Sequence, residues 1–445
     1  MALFKLKFSR PFGVGFLIYS FLLLLLLIQI SLHAYDSQSE NIWIFTYLIC
    51  LIILFFYRRA MPVFIMLAFF LPFFYIPKFY FDGFEISYWP SYQQADLINF
   101  ISVLNSIFLL SFAVGAGAVN DRSLLSKEVI GIFNNRLLFN ISLIVLFVVL
   151  YFGVQGNTIF ESGLYGSGEI QKSALHEYFI VFFIISIFLK NPQSYIQTII
   201  LFILLVFYTY KTLIYGGRIE ILQIWLAVLY LKYNYFFNKK MIVLLFIFFS
   251  YVIFDFISQV RENPLLILSL EDLNFLGNLF KEKTVILSSL QGDVYQSSLR
   301  VVGLFRDGAI DFTTSLLSFM SVVFFSFVPS SYMPDFYNLS NYKIDVAKSG
   351  GGGLISSFSF VWLYYFGPVL FGLFIGFFIR LFYRLNNPII NIYGLLILIT
   401  FPRWFSYYPA ILFRMNLLGV LLILLILFYL NINGSSKSRS LGRAG

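Results

Sequence analysis

Arginines and carboxylates able to hold an anion or move a proton stand at a few places in an otherwise apolar chain. The stretch Tyr215-Gly216-Gly217-Arg218-Ile219-Glu220 breaks two apolar runs and sets a guanidinium and a carboxylate within one turn of each other. Paired glycines permit a tight turn, and a guanidinium there can fork onto two phosphate oxygens. The same arginine also fits one that snorkels to lipid headgroups from a helix end. Arg261, Arg300 and Arg306 follow, then Asp307 and Asp311, which share a face at i, i+4 if their segment is helical. Two like charges on one face need cations nearby, and three arginines are available. Arg403 and Arg414 flank a short turn containing Trp404, Tyr407 and Tyr408. Aromatics of this kind form an interfacial belt and also stack on sugar rings.

Several arginines on one face suit a diphosphate held at the headgroup plane, with Arg218, Arg300 and Arg306 first, then Arg261, Arg414 and Arg403. A proton acceptor beside them has three candidates, Asp307, Glu220 and His176, and the sequence leaves all three open. His176 and Glu177 start an apolar run, a position that suits a base and equally a solvated side chain. The other histidine, His33, is isolated, and the single cysteine, Cys50, lies inside an apolar run. No metal site, disulfide framework or cofactor is therefore expected. Gly350 to Gly353 are not followed by Lys-Ser or Lys-Thr, so they do not make a phosphate loop.

The elements that must position these groups follow from composition. The chain has 445 residues, 60% of them hydrophobic and 11% charged, with 58 Phe and 30 Tyr and a mean hydropathy of +0.86. A water-soluble globule needs more polar surface, and a disordered chain would lack the aromatics. The formal charge of +9 is scattered singly between apolar segments, which speaks for a membrane and against nucleic acid. A membrane helix takes roughly 17 to 25 apolar residues. Twelve runs qualify, at 12–32, 42–57, 60–77, 95–117, 137–154, 174–189, 196–214, 219–236, 241–258, 354–379, 388–402 and 412–430.

With the amino terminus inside, 17 of the 30 basic residues fall on the inner face, and of the 21 acids only Asp121 and Glu128 do. The expectation is an all-α polytopic membrane protein with about twelve transmembrane helices and both termini cytoplasmic. Residues 1–257 hold helices one to nine, 258–353 a large outer loop, 354–430 helices ten to twelve, and 431–445 a polar tail taken as disordered. In the loop, Leu273, Leu276 and Phe280 interleaved with charges read as an amphipathic helix, and 313–328 as an interfacial or re-entrant one.

Three stretches, together with this topology, resemble the Wzy-type O-antigen and oligosaccharide repeat-unit polymerases of bacterial inner membranes. They are YGGRIEILQIW at 215–225, FFSFVPSSYMPD at 324–335, and GGGLISSFSFVWLYYFGPVLFGLFIGFFIR at 351–380. The first is similar to the family's Gly-Gly-x-Arg or Gly-x-Arg turn. The second is similar to the hydrophobic run, proline and aromatic-rich sequence ending its large periplasmic loop, and the third to the Gly-rich lead and Gly-spaced helix after it. Many members carry an acidic residue shortly before the aromatic-Gly pair. Here that region reads Val361-Trp362-Leu363, so no catalytic role carries over to it.

The resemblance implies a GT-C-like fold and transfer of a glycan from its undecaprenyl-diphosphate carrier onto a new lipid-linked repeat unit at the periplasmic face. It also implies membrane lipid, a Wzz-type chain-length regulator and a Wzx-type flippase as partners. The related O-antigen ligases use a histidine late in the large loop, and this loop contains none. A lipid-linked oligosaccharide flippase is the other alternative, against which stands the lack of two similar halves.

Overall fold

The computed structural model describes residues 42–82, 95–119, 131–155, 171–172, 175–215, 217–231, 283–326, 338–340, 342–343 and 352–441. The expected runs at 12–32 and 241–258, the amphipathic segment around Leu273 to Phe280, and Arg261 lie outside them. In chain order the helices are α1 Ile42–Phe56, α2 Met61–Phe81, α3 Ala95–Ala116, α4 Arg136–Phe152, α5 Leu175–Leu189, α6 Tyr195–Tyr215 and α7 Arg218–Leu231. They continue as α8 Lys283–Arg306, α9 Phe312–Phe324, α10 Ile355–Leu363, α11 Phe366–Arg384, α12 Pro388–Ser406 and α13 Ala410–Leu441. One antiparallel pair, β1 Val154–Gln155 with β2 Gln171–Lys172, also occurs among the described residues.

The protein is a helical membrane protein in character. Six helices are long and apolar enough to cross a bilayer by length and composition: α2, α3, α6, α11, α12 and α13, while α1, α4, α5, α7 and α9 are apolar but shorter. Several helices are turned inside out relative to a water-soluble fold. On α4 the exposed positions include Ile141, Ile144, Phe147 and Val148, and on α6 Phe202, Ile203, Val206 and Phe207. The buried face of α4 carries Ser142, which is bonded to Ser186 of α5 at 2.9 Å. Large apolar side chains outward and hydroxyls inward are what a hydrocarbon solvent selects.

The chain divides into two compact units, each assembled from separated segments. The first comprises residues 1–121, 283–384 and 404–410, and the second 122–282, 385–403 and 411–445.

In the first unit α3 and α11 pack along a seam of small residues. Gly372 and Gly376 of α11 form a Gly-x-x-x-Gly pair facing Phe108, Ser111, Phe112 and Ala116 of α3. A Cβ on Gly372 would stand 2.5 Å from the Phe108 carbonyl oxygen, and one on Gly115 would stand 2.5 Å from that of Leu373. Dispersion between closely approached backbones replaces the hydrophobic drive that lipid cannot supply. Phe405 stacks on Phe70 of α2, with ring centroids 3.5 Å apart.

The expected long helix over 354–379 is two helices. The helix stops at Leu363, Tyr364 adopts φ 54°, and α11 starts afresh at Phe366 with Pro368 in its first turn. Gly367 lies against the Ser359 carbonyl, where no side chain fits. Every residue of α10 from Ile355 to Trp362 is buried. An unbroken apolar run cannot separate one spanning helix from a short buried one that turns back into another, because both need continuous apolarity.

Asp307 and Asp311 do not share a helix face as expected. α8 ends at Arg306, Gly308 at φ 75° lets the chain turn, and Asp311 caps α9 by accepting from the Thr314 N–H at 2.6 Å. That bond holds the Asp311 carboxyl below the usual carboxylate range. At 13 residues α9 spans about 20 Å, short of the hydrocarbon thickness. Lys343 is fully buried, donates to the Gly352 carbonyl and sits 5.6 Å from the Phe358 ring centroid. Burial pushes its amine down to about 7. α13 continues as helix through Leu441, into the polar segment expected to be disordered.

Candidate functional site: three helix ends joined by one arginine

The second unit brings together groups from four helices. α5 opens with His176 and Glu177, α6 closes with Tyr208 and Thr212, α7 opens with Arg218 and Glu220, and α12 carries Arg403 in its last turn. The turn between α6 and α7 is fixed by the Gly217 N–H donating to the Thr212 carbonyl at 2.9 Å. A Cβ on Gly217 would meet Thr212 Cγ2 at 2.7 Å and Glu220 Oε2 at 3.0 Å. Only glycine leaves that carboxylate where it is.

Arg403 Nη2 donates to Glu220 Oε1 at 2.7 Å and also to Glu177 Oε1. The three side chains are 19%, 5% and 13% exposed for Arg403, Glu220 and Glu177, so solvent screens the cluster weakly. Both carboxylates sit in first helical turns, where the helix dipole favours negative charge, and the guanidinium sits in a last turn, where it favours positive charge. The electrostatics of the helix ends thus agree with the ion pairs they make.

His176 is fully buried beside this cluster. The Thr212 hydroxyl donates to the Tyr208 carbonyl at 2.6 Å, so the 3.0 Å contact between Thr212 Oγ1 and His176 Nε2 has the imidazole as donor. A neutral ring then carries its lone pair on Nδ1. Tyr208 stacks on the imidazole, with centroids 4.6 Å apart, and donates its hydroxyl to the His176 carbonyl at 3.3 Å. One turn along α7 from Glu220, Gln223 is fully buried with neither amide atom bonded among the described residues.

Of the residues expected at a site, the second unit therefore assembles Glu220, His176 and Arg403, with Arg218 as the first residue of α7. Arg414, the fifth residue of α13, lies within electrostatic reach of Tyr178. Asp307, Arg300 and Arg306 belong to the first unit, where Arg306 pairs with Asp96 at 2.7 Å and lies 3.7 Å from Asp307. Arg300 is half-buried on α8, and loss of water lowers it from its ordinary value. No group of three or more potential metal ligands occurs among the described residues. No family model, no curated protein and no solved structure matches the chain.

Glu177 was noted in the sequence only beside His176 at the start of an apolar run, and its pairing with Arg403 was not foreseen. Gln223 gave no signal beyond being an amide inside an apolar run.

Proposed function

We propose that this chain is a membrane glycosyltransferase that polymerises undecaprenyl-diphosphate-linked repeat units of O-antigen or a related surface polysaccharide. In this reading it is a GT-C-like protein of about twelve spans in the bacterial inner membrane, with both termini cytoplasmic and the site on the periplasmic face. The observation that carries it is the Glu177–Arg403–Glu220 cluster. In the twelve-span topology expected from the sequence the starts of α5 and α7 and the end of α12 share one face, which agrees with the arginine joining these three ends.

Glycan transfer needs few protein groups. The acceptor hydroxyl oxygen forms its bond to the donor's anomeric carbon as the bond from that carbon to the diphosphate oxygen breaks. The hydroxyl proton passes to a carboxylate, and the electron pair leaves with the diphosphate. Glu220 or Glu177 supplies the base. Arg403 positions both, since its Nη2 is already shared between them. Arg218, the first residue of α7, and Arg414, near the start of α13, are assigned in this reading to the leaving diphosphate. Guanidinium forks and the N-terminal dipole of α7 stabilise the charge as it develops.

The test is the surface-glycan ladder of cells lacking this gene, complemented with wild type, Glu220→Gln, Glu177→Gln or Arg218→Lys, each checked for membrane insertion. Collapse of the ladder to a single repeat unit on deletion, unrestored by Glu220→Gln, is the expected result. Loss of the single unit as well points to a flippase or ligase, and an unchanged ladder refutes glycan assembly altogether.

A further inference from the structure

At one end of the first unit four arginines gather where three helices finish. α1 runs out into Tyr57-Arg58-Arg59 before α2 begins at Met61, α3 ends at Ala116, and the last turns of α11 carry Arg380 and Arg384. Tyr57 ties these ends together. Its hydroxyl donates toward the Gly117 carbonyl at 2.8 Å and the Ala113 carbonyl at 3.3 Å, and a Cβ on Gly117 would meet Arg380 Nη1 at 3.7 Å. Arg380 is also within electrostatic reach of both Tyr57 and Arg384.

The helices that meet here do not balance this charge themselves. α1, α2 and α11 contain no Asp or Glu, and the one acid of α3, Asp96, stands in its first turn, about 30 Å away along the axis, where it pairs with Arg306. No ion pair among the described residues uses any of the four arginines. Helix dipoles offset a part. Three C-termini contribute about −0.5 each and the N-terminus of α2 about +0.5, so roughly three positive charges are left over.

The patch is open, since Arg58, Arg59 and Arg384 are exposed, and it borders an apolar surface. Phe55 is 64% exposed, and the Arg58 guanidinium lies over its ring, 4.0 Å from the centroid. On α11 the exposed Phe377 shares a face with Arg380 and Arg384, at i+3 and i+7. Guanidiniums directly beside outward aromatic rings fit an amphiphile, with phosphate on the cations and acyl chain along the rings. A free anion would use the first and leave the second bare.

We propose that this end of the first unit binds a membrane phospholipid with two phosphodiesters, of the diphosphatidylglycerol class, Arg380 and Arg384 taking one phosphate and Arg58 and Arg59 the other. Guanidinium forks suit phosphodiester oxygens, and two phosphates remove most of the charge left over. Basic residues at the ends of membrane helices also guide insertion, a role that needs no particular lipid. A site differs from that role in selecting lipids by phosphate number. It shares no residue with the Arg403 cluster and stands whether or not the polymerase reading does.

The experiment is native mass spectrometry of the full chain, stripped of lipid in detergent and offered diphosphatidylglycerol, phosphatidylglycerol, phosphatidylethanolamine or inorganic pyrophosphate. Diphosphatidylglycerol should be held best, phosphatidylglycerol next and the other two least. Arg384→Gln should weaken diphosphatidylglycerol about fivefold, the worth of one basic side chain at an anionic headgroup, and the double variant Arg58→Gln, Arg59→Gln about 25-fold. Lys78→Gln removes the same charge at the far end of α2, about 25 Å away, and should leave binding unchanged. Equal weakening by Lys78→Gln and Arg384→Gln would overturn the site, as would phosphatidylethanolamine held as firmly as diphosphatidylglycerol. Pyrophosphate held as firmly as the lipid would refute a membrane occupant in favour of a soluble diphosphate. The three substituted arginines are exposed, so their loss does not threaten folding.

Discussion

Removing Arg403 should cost about as much as removing Arg403 and Glu220 together. In Arg403→Met, Glu177 and Glu220 keep their charges at helix ends largely shielded from water but lose the guanidinium that both accept from. Breaking a fully buried pair from one side costs about 3–5 kcal/mol. Arg403 is 19% exposed and Glu177 13%, so some solvent screening remains and about 2–4 kcal/mol is expected. Glu220→Gln keeps the shape and one hydrogen bond and should cost about 1–2 kcal/mol. In the double variant the glutamine has no charge to be stranded, so the combined cost should fall short of the sum of the singles by about 1–2 kcal/mol. The assay is reversible unfolding of the purified chain in mixed detergent, followed by the fluorescence of its 5 Trp. Additivity within about 0.3 kcal/mol would refute the ion pair. A further detail separates this arginine from Arg218. Both bonds of Arg403 leave from one nitrogen, Nη2, so an ammonium can serve both carboxylates and Arg403→Lys should recover part of the stability. Arg218→Lys, where the fork is the proposed function, should not recover polymer.

Three other perturbations test separate parts of the structure. Gly372→Ala places a Cβ 2.5 Å from the Phe108 carbonyl, so α3 and α11 must part by close to 1 Å, and the same unfolding assay should show a loss of about 1–3 kcal/mol. Gly419→Ala is the control, since its Cβ meets only the side chains of Leu396 and Ile392, which can give way. Gly217→Ala should reduce polymer length while leaving the protein in the membrane, because its Cβ would reach Glu220 Oε2 at 3.0 Å; an unchanged ladder would detach that carboxylate from the chemistry. Lys343 sets a pH dependence. Its amine is held down to about 7, from 10.5, so between those values the unfolded chain binds the extra proton and stability rises with pH. Lys343→Met should flatten that rise between pH 7 and pH 10 and stabilise most at pH 6, and a wild-type curve that falls across the window would contradict the burial.

How much of this was legible in the sequence depended on which physical signal each element left. Apolar runs bounded by charge marked α2, α3, α6, α12 and the start of α13 to within a few residues, because a bilayer imposes both the length and the composition of its spans; the end of α13 lies eleven residues beyond its run. The break at Tyr364 left no such trace. α10 and α11 are both apolar, and what separates them is the approach of Gly367 to the Ser359 carbonyl, a packing fact that a run of hydrophobic letters does not encode. The Asp307 and Asp311 reading failed for a related reason. Spacing of four fits a helix face, but Gly308 between them adopts φ 75° and divides the segment into the end of one helix and the cap of the next.

The site shows the same division between what charge reveals and what packing hides. Arg403 and Glu220 could be singled out because ionisable groups at the ends of membrane helices need partners. Which partner each would take was not legible, because six arginines and several acids share the expected outer face. Position along the helix supplies the missing rule. Glu177 and Glu220 are both in first turns and Arg403 is in a last turn, so each helix dipole favours the charge its end carries. Asp307 and Arg306 follow α8 at its end, where the dipole favours Arg306 over Asp307 as the charge to be kept. Arg306 accordingly makes the long-range pair, with Asp96 in the first turn of α3, and Asp307 is left as an exposed neighbour at 3.7 Å. Sorting ionisable residues by helix end as well as by membrane face therefore agrees with the pairs that Arg403 and Arg306 make, and it favours Glu220 and Glu177 over Asp307 as the carboxylates of the proposed site.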